Sequence, residues 1–472
     1  MRNRTVLTLI DGARIVVPDC VDLITPYVLR EQGDWFEDEI KFVRRALDSG
    51  QRAIDIGANY GVYTLSMARA VGAAGKVWAF EPASATAEFL AASIAENTFG
   101  HVVLERSALS STFGTASLSL NRDAELNALE HGGTVTGASE TVRLVTLDER
   151  AAFHQWRDID FVKIDAEGEE LNILRGGIQF FANHSPLVQY EIKAGNELHM
   201  ELVEAFAQQG YRSYRLVPGL DLLAAIDANT ALDGYQLNLF CCKPDRAARL
   251  EAKGLLVEPS RAALPIRRAE MDRVMPDSRY HWPHTLTKLP YGRMLANQWH
   301  QTLAAGNGDA GTINATALAW HAFARDVSQP APKRFAALCA AFIELQTLCD
   351  QTPTHLRLLS LARVAREAGA RTMAVQALGR FLNRLKERRE VDAGEPFLAP
   401  GARFDSVAPG AEIGNWVLAA ALEEFEQNSA FSSFYTGASA QQRVSTICDL
   451  GFASDEMHRR RKLLEQRFGV IR

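Results

Sequence analysis

Two short segments of the sequence combine glycines with carboxylates in an order suited to binding a charged ligand. The first is DIGANYG, residues 55–61, which follows a short apolar run. Glycines let a backbone turn sharply and approach a ligand closely, and the amides of a turn and of the following helix offer hydrogen-bond donors. We predict a nucleotide-binding turn between a strand and a helix. The alternative is that Gly57 and Gly61 only make a tight turn.

The residues around this turn favour S-adenosylmethionine over a dinucleotide. The dinucleotide pattern G-x-G-x-x-G needs a glycine where Asn59 stands. A carboxylate at Asp55 would repel a pyrophosphate, but it suits a cation such as the methionine ammonium of S-adenosylmethionine. Glu81 ends the second predicted strand, where it can accept hydrogen bonds from both ribose hydroxyls. Glu81 alone fits NAD as well, so Asp55 and Glu81 together make the distinction.

The second segment is DFVKIDAEG, residues 160–168, which ends a predicted strand in charged side chains. Strand side chains alternate between two faces, so Lys163 and Asp165 share a face and Asp165 lies at the strand end. Glu167 is predicted to open the next helix, where its charge favours the helix N-terminus. Structural roles stay open, because Asp165 could cap this helix and Glu167 could simply decorate its start.

Both segments lie in a region that alternates between short apolar strands and helices. Such alternation predicts an α/β fold with a doubly wound, mostly parallel sheet covered on both faces. By this count residues 161–164 form the fourth main strand, which neighbours the first, so Asp165 projects into the ligand crevice. The predicted strands are 52–56, 76–80, 102–105, 161–164, 187–192, 211–217 and 236–242, and the predicted helices are 61–70, 85–96, 167–175 and 197–208.

The flanking regions predict three further parts. Residues 1–48 form a hairpin around Asp11-Gly12 and an amphipathic helix at 35–47, and residues 49–243 form the α/β domain. Residues 244–309 are a linker with short helices, and residues 310–472 are an all-α C-terminal domain. A helical hairpin turning at Gly369 resembles a tetratricopeptide unit, including the spacing Ala377-x-x-x-Phe381. A generic helical bundle is the alternative.

Several segments, met in order along the chain, resemble the FkbM family of methyltransferases. The resemblance covers roughly residues 50–217 and does not extend to residues 245–472. It implies a class I methyltransferase fold, S-adenosylmethionine as cofactor, and methylation of a hydroxyl group. The segments are IDIGANYGVYT (54–64), VWAFEP (77–82), Asn97, VTLDE (145–149), FVKIDAEGEELNILRGG (161–177) and LVQYEI (187–192).

Carried over to this sequence, the resemblance implies a set of site residues. Ser107 and Ala108 follow the third strand, where such folds meet the adenine. Asp165 and Glu167 fall on the family motif K-I-D-x-E-G, and Gln189 is a mild departure from the family pattern. The residues on the cofactor motifs are Asp55, Gly57, Asn59, Gly61 and Glu81.

The transfer of a methyl group to a hydroxyl requires a group that accepts the hydroxyl proton. Asp165 is the first candidate for this base, with Lys163 and His199 as alternatives. Asp165, Glu167 and Glu191 could also gather a divalent cation that acidifies the acceptor. No H-x-x-E or H-x-H spacing accompanies them, so we assign no metal site.

Charge and cysteine content limit the partners and the compartment. Residues 1–242 carry 20 Lys/Arg against 33 Asp/Glu, whereas residues 243–472 carry 31 against 24. The acidic first half argues against nucleic acid as a partner. Six cysteines without a C-x-x-C pair predict free thiols in a reducing cytoplasm. No apolar run is long enough to span a membrane, and no secretory signal is predicted.

Three functions compete on these observations. The first is O-methylation of a sugar or glycan hydroxyl, with the helical half recruiting a substrate or a protein partner. The second is a nucleotide-dependent oxidoreductase, which Asp55 and Asn59 disfavour. The third is a binding or scaffold protein that has lost activity, which the intact carboxylates Asp55, Glu81 and Asp165 disfavour.

Overall fold

The fold comes from a computed structural model, which describes part of the chain and divides it into two compact units. The first unit comprises residues 1–216, 225–230 and 236–253, and the second comprises residues 217–224, 231–235 and 254–472. Residues 259–276 of the predicted linker lie outside the described residues. Within those described, no helix is long and apolar enough to cross a membrane. The described residues are 3–129, 138–194, 197–226, 232–258, 277–305 and 308–469.

The first residues form the predicted hairpin. Strand β1 (Arg4–Thr8) pairs antiparallel with β2 (Arg14–Pro18), and helices α1 (Ile24–Gln32) and α2 (Asp38–Ala46) follow. Helix α2 begins three residues later than the prediction, because its N-cap residue Glu37 has an extended backbone, with φ −79° and ψ 133°.

The rest of the first unit alternates strands and helices, as the sequence predicts. The elements between residues 52 and 257 are β3 (Arg52–Ile56), α3 (Val62–Val71), β4 (Lys76–Phe80), α4 (Ser84–Glu96), β5 (Val102–Glu105), β6 (Ala108–Leu109), β7 (Gly114–Ser119), β8 (Ala128–Leu129), β9 (Ser139–Val145), α5 (Leu147–His154), β10 (Phe161–Ile164), α6 (Glu170–Arg175), α7 (Ile178–Asn183), β11 (Leu187–Glu191), β12 (Lys193–Ala194), β13 (Glu197–Leu198), α8 (Met200–Gln208), β14 (Arg212–Val217), β15 (Leu222–Ala225), β16 (Asn238–Cys242), α9 (Pro244–Ala252) and β17 (Leu256–Val257).

The central sheet of this unit has the strand order β5-β4-β3-β10-β11-β16-β14. The five strands from β5 to β11 are parallel, and β16 runs antiparallel to β11 and β14. Strands β3, β4 and β10 are buried along almost their whole length, as expected of a parallel sheet covered on both faces. This topology confirms the predicted doubly wound class, with β10 beside β3. A second, smaller sheet has the order β6-β9-β7-β8.

Like α2, two further helices of this unit begin three residues later than the sequence predicts. Helix α6 starts at Glu170 rather than at Glu167, because Glu167 and Gly168 have φ values of +48° and +97°, which a right-handed helix does not accept. The Glu170 carboxylate instead accepts hydrogen bonds from the amides of Ala166 at 2.9 Å and Gly168 at 3.4 Å. Helix α8 starts at Met200 because residues 197–198 pair as a strand with residues 193–194.

The predicted linker contains regular structure at both ends. Helix α9 belongs to the first unit, and the Arg246 guanidinium on it bonds the Asp160 carboxylate at 3.1 Å. Pro244 occupies the first turn of α9, a position that tolerates proline because its missing amide would be unpaired there. The predicted domain limits at 243 and 309 stay predictions.

The second unit is predominantly helical, with strands β15 and β17 pairing in parallel. Its buried core takes apolar side chains from most of its helices, and helices α14 and α15 form the predicted hairpin, in which Gly369 has a φ of +84°. The helices are α10 (Trp282–Thr285), α11 (Pro290–Ala304), α12 (Gly308–Arg325), α13 (Ala331–Gln351), α14 (His355–Glu367), α15 (Arg371–Arg388), α16 (Ile413–Ser429), α17 (Ser433–Thr436), α18 (Gln441–Asp449) and α19 (Asp455–Phe468).

Candidate active site

The glycine turn after β3 packs directly against the loop that follows β10. Gly57 has a φ of +78°, and a Cβ atom on it would lie 1.7 Å from the backbone carbonyl oxygen of Asp165. The amides of Gly57 and Ala58 both donate hydrogen bonds to the Phe80 carbonyl, at 3.1 Å and 2.9 Å. Only glycine fits here, so the ends of β3, β4 and β10 meet at one edge of the sheet.

Asn59 and Gly61 shape the remainder of the turn. Asn59 has a φ of +50°, a conformation that asparagine tolerates better than most residues, and its Oδ1 accepts a hydrogen bond from the Tyr60 amide at 2.7 Å. Gly61 is the N-cap residue of α3, and a Cβ atom on it would lie 2.3 Å from Cδ1 of Leu90. Both residues therefore set the path of the backbone into α3.

Glu81 holds this turn from the end of β4. Its two carboxylate oxygens accept hydrogen bonds from the amides of Asn59 and Ala83, each at 2.8 Å. The side chain is buried, and burial raises the pKa of Glu81 to about 7 although the two amides lower it. Each oxygen keeps a second lone pair, so the carboxylate still has acceptor capacity for ribose hydroxyls.

Asp55 lies beneath the turn and is fully buried. Its Oδ2 accepts a hydrogen bond from the Thr64 hydroxyl at 2.5 Å, and its Oδ1 has no hydrogen-bond partner among the described residues. Burial raises the pKa of Asp55, while the charge of Lys163 lowers it. The cation that acts on Asp55 in this structure is thus Lys163, and contact with a methionine ammonium stays a prediction.

Ser107 and Ala108 lie at the end of β5 and the start of β6. The Ser107 hydroxyl is buried without a hydrogen-bond partner within the described part of the chain. Ala108 belongs to a small apolar cluster with Ala83, Leu118 and Val142. The hydroxyl of Ser107 is suited to a hydrogen bond with the edge of a purine base, and the apolar cluster at Ala108 is suited to contact with its face. That they bind the adenine stays a prediction.

Lys163, which is buried, and Asp165, which is partly exposed, form an ion pair at the end of β10. The Lys163 Nζ lies 2.6 Å from Oδ2 of Asp165 and 4.8 Å from the ring centre of Tyr63. Burial would lower the pKa of Lys163, but the charges of Asp165, Asp55 and Glu37 outweigh it and raise this pKa. The N-cap residue of α6 is Glu169, so Asp165 does not cap that helix.

Glu167 and Glu191 bring two further carboxylates to Asp165. Ligand oxygens of the three residues lie within 4.8 Å of one another. Burial and the Asp165 charge raise the pKa of Glu167 to about 8 and that of Glu191 to about 11, so the cluster holds protons at neutral pH. Acidic clusters also occur without an ion, and we assign no metal to this one.

The third candidate base, His199, is engaged elsewhere. Its Nδ1 lies 2.6 Å from Oε1 of Glu201, and its side chain is 38% exposed. It is the N-cap residue of α8. Within the described residues, His199 forms its ion-pair contact with Glu201 and none with Asp165.

Three residues that the sequence did not single out as site residues join this network. The Tyr63 hydroxyl donates a hydrogen bond to Oε2 of Glu37 at 2.5 Å and accepts one from Nε2 of Gln189 at 3.1 Å. Gln189 lies in register with Lys163, and Lys163 with Asp55, on neighbouring strands. The two-residue strand period places Gln189 on the same face as Glu191, but no local signal points to Glu37.

The fold and this edge of the sheet define a nucleotide-binding α/β domain of the class I methyltransferase type. Residues 55–213 match the family model of the methyltransferase FkbM domain. This part of the chain is therefore an FkbM-type methyltransferase domain, which confirms the recognised family and, with it, S-adenosylmethionine as the cofactor of the class. No curated protein matches the chain.

Several solved structures are similar to parts of the chain. A methyltransferase FkbM from Methylobacillus flagellatus has 15% identity, covering 41% of this chain and 44% of that one, with a TM-score of 0.27. A SAM-dependent methyltransferase from Aquifex aeolicus has 11% identity, 46% and 92% coverage and a TM-score of 0.26. A SAM-dependent O-methyltransferase from Thermotoga maritima has 14% identity, 51% and 92% coverage and a TM-score of 0.26.

Proposed function

We propose that this protein transfers a methyl group from S-adenosylmethionine to a hydroxyl oxygen of a sugar or glycan. The observation that carries the proposal is the packing of Gly57 on the Asp165 carbonyl, which a Cβ atom would meet at 1.7 Å. This contact joins the cofactor turn and the candidate base at the carboxyl ends of adjacent parallel strands, where ligands of such sheets bind.

The residues around the turn fit the cofactor in our proposal. The Glu81 carboxylate takes the ribose hydroxyls, because it is buried but keeps free lone pairs. Ser107 and Ala108 take the adenine, since the Ser107 hydroxyl is buried and the described residues offer it no hydrogen-bond partner. Asp55 acts on the methionine ammonium from below the turn, with Gly57, Asn59 and Gly61 setting the backbone path. Bound S-adenosylmethionine would supply an electrophilic methyl group on a sulfonium.

In the proposed step, Asp165 accepts the proton of the acceptor hydroxyl. Bound S-adenosylmethionine would supply the methyl carbon to which the acceptor oxygen bonds, and its sulfur would keep the electron pair of the carbon–sulfur bond that breaks. Lys163 remains protonated, because its pKa is raised, so it orients Oδ2 of Asp165 rather than serving as the base. Glu167, beside Asp165, completes the acidic wall that faces the acceptor.

A screen of methyl acceptors tests the proposal most directly. The full-length protein is incubated with S-adenosylmethionine labelled on its methyl group and with panels of sugars, glycans and lipids. We expect label on a hydroxyl oxygen of a carbohydrate. Transfer to nitrogen, or only to lipids, would contradict the acceptor that we propose. Calorimetry on the same preparation should detect binding of S-adenosylmethionine or its demethylated product and no binding of NAD(H).

Three wider features belong to the same proposal. We place the enzyme domain at 49–243, with a linker at 244–309, and we propose that the helical half at 310–472 recruits a substrate or a protein partner. The separate core of the second unit supports this division of labour.

The acidic first half disfavours nucleic acid as the acceptor. We propose a cytoplasmic location, supported by six cysteines that are all free thiols.

A further inference from the structure

We propose that Glu37 is a positioning residue of the active site and acts on Asp165 through Tyr63 and Lys163. Glu37 precedes the FkbM-matched residues 55–213 and comes from the N-terminal part of the chain, where it is the N-cap residue of α2. The inference rests on the proposed function, since it concerns the base of that reaction.

The first step of the chain joins Glu37 to Tyr63. The Tyr63 hydroxyl is 2.5 Å from Oε2 of Glu37 and donates to it, while Nε2 of Gln189 donates to the same hydroxyl at 3.1 Å. Tyr63 and Gln189 are buried, with 5% and 0% of their surfaces exposed. Two bonds to the hydroxyl fix the position of the ring, because a change of the χ1 angle of Tyr63 would break both of them.

The second step joins Tyr63 to Asp165. The Lys163 ammonium lies over the Tyr63 ring, 4.8 Å from its centre, and donates to Oδ2 of Asp165 at 2.6 Å. Cations are attracted to aromatic faces most strongly where water is excluded, and Lys163 is only 4% exposed. The ring therefore fixes the position from which Lys163 can hold Asp165. The other carboxylate oxygen of Asp165, Oδ1, has no hydrogen bond among the described residues and is left for the acceptor hydroxyl.

The charge of Glu37 also acts on Lys163 directly. Glu37 is among the carboxylates that raise the pKa of Lys163 against the effect of burial. Glu37 thus supports the protonated form of the lysine that Asp165 pairs with. Displacing a catalytic group by as little as about 1 Å can slow an oriented reaction up to about 100-fold, so loss of Glu37 should affect turnover more than binding.

The test compares four variants of the full-length protein with the acceptor found in the screen. Glu37→Gln removes the charge and keeps the size, and Tyr63→Phe removes the hydroxyl that Glu37 binds. The third variant combines them, and the control Glu387→Gln makes the same charge change at an exposed position of α15 in the second unit. We measure kcat, KM for the acceptor, the affinity for S-adenosylmethionine, and the melting temperature.

We expect Glu37→Gln to lower kcat about 10-fold or more, with KM and cofactor affinity within about twofold of wild type. Tyr63→Phe should lower kcat similarly, and the double variant should be no slower than the slower single variant, because both changes break one chain of contacts. Glu387→Gln should keep the wild-type kcat.

Three results would overturn the inference while leaving the methyltransferase in place. They are an unchanged kcat in Glu37→Gln, an equal loss in Glu387→Gln, and losses that multiply in the double variant. If Glu37→Gln fails to fold, Tyr63→Phe alone decides, since an unchanged kcat there would break the chain at its middle residue. A wild-type protein that methylates no acceptor would overturn the proposed function and this inference with it.

Discussion

The two compact units both bury charged side chains, but they balance the charges differently. In the second unit the buried carboxylates of Glu367, Glu395 and Glu426 meet cations at short range, although burial raises the pKa of a fourth residue, Glu424, to about 7. Burial alone would raise the pKa of Glu367, but His321 and Arg363 outweigh it and hold this pKa below its usual value. Glu367 lies 2.5 Å from Arg363 and 2.9 Å from His321. Two similar buried pairs are Arg357–Glu395 at 2.7 Å and Arg460–Glu426 at 3.2 Å.

In the first unit, the carboxylates at the candidate site are more numerous than the cations that act on them. Burial raises the pKa of Glu81 to about 7, and burial with like charges raises that of Glu167 to about 8. Lys163 is the cation that acts on Asp55, Glu37 and Glu167. A fold gains no stability from buried carboxylates without partners. We interpret the balanced pairs of the second unit as structural, and we propose that the excess of carboxylates in the first unit marks a site that a ligand completes.

The largest effect is expected from Asp165, which should separate chemistry from folding. Asp165→Asn keeps the size of the side chain and removes the charge. If Asp165 is the base, turnover should fall by about 10²–10⁴-fold, while cofactor affinity and melting temperature stay near wild type. Steady-state kinetics, calorimetry and a thermal melt on one preparation measure the three quantities.

The control for this variant is Asp158→Asn, which changes an exposed aspartate shortly before β10. Asp158 has a φ of +55°, a conformation that asparagine adopts readily, so both activity and stability should be retained. Near-normal turnover in Asp165→Asn together with lowered stability would make Asp165 a structural residue and place the base elsewhere.

The second unit should give the opposite result when one partner of a balanced pair is removed. Glu367→Gln leaves the buried Arg363 and His321 without the carboxylate that they share. Breaking a buried pair in this way costs about 3–5 kcal/mol in the free energy of unfolding, and cofactor affinity should be unchanged. Denaturant unfolding of the wild type, of this variant and of the exposed Glu387→Gln control checks the result. An equal loss in the control would show that the buried pair does not stabilise the unit.

Much of the candidate site can be predicted from the sequence, because the signals that indicate it are local. An apolar strand followed by Gly57 predicts a sharp turn, and Glu81 was placed at the end of its strand by the length of an apolar run. The two-residue period put Lys163 and Asp165 on one face, and the structure pairs their side chains at 2.6 Å. The doubly wound sheet followed from the same alternation of strands and helices.

The parts that the sequence did not predict depend on contacts between distant residues. Tyr63 bonds to Glu37, 26 residues earlier, and to Gln189, 126 residues later, and no periodicity links these positions. The predicted helix start at Glu167 was wrong, because the left-handed backbone at this residue is imposed by the packing of the loop. The other charge pairs of the second unit were equally hidden, since helical periodicity shows which face is buried but not which charges meet. The exception is Arg363–Glu367, whose i, i+4 spacing on one helix predicts the contact.

The smallest expected effect concerns Glu81 and tests whether a ligand completes the acidic site. Glu81→Ala should weaken binding of S-adenosylmethionine by about 1–3 kcal/mol, because the ribose hydroxyls lose a charged acceptor. Calorimetry measures the change, and Glu88→Ala, an exposed position on α4, is the control. Unchanged affinity in Glu81→Ala would remove Glu81 from the cofactor site.

The pH dependence of binding makes the same test sharper. The pKa of Glu81 is raised to about 7 before the ligand binds, and hydrogen bonds from two hydroxyls favour the ionised carboxylate. The carboxyl must therefore lose its proton for binding, so affinity should rise with pH and should be about tenfold higher at pH 8 than at pH 6. Glu81→Gln cannot ionise and should bind weakly at both values, with the rise removed. A rise in affinity with pH that persists in Glu81→Gln would assign the proton to another carboxyl group of the acidic cluster. The ligand would then meet the excess carboxylates at a place other than its ribose.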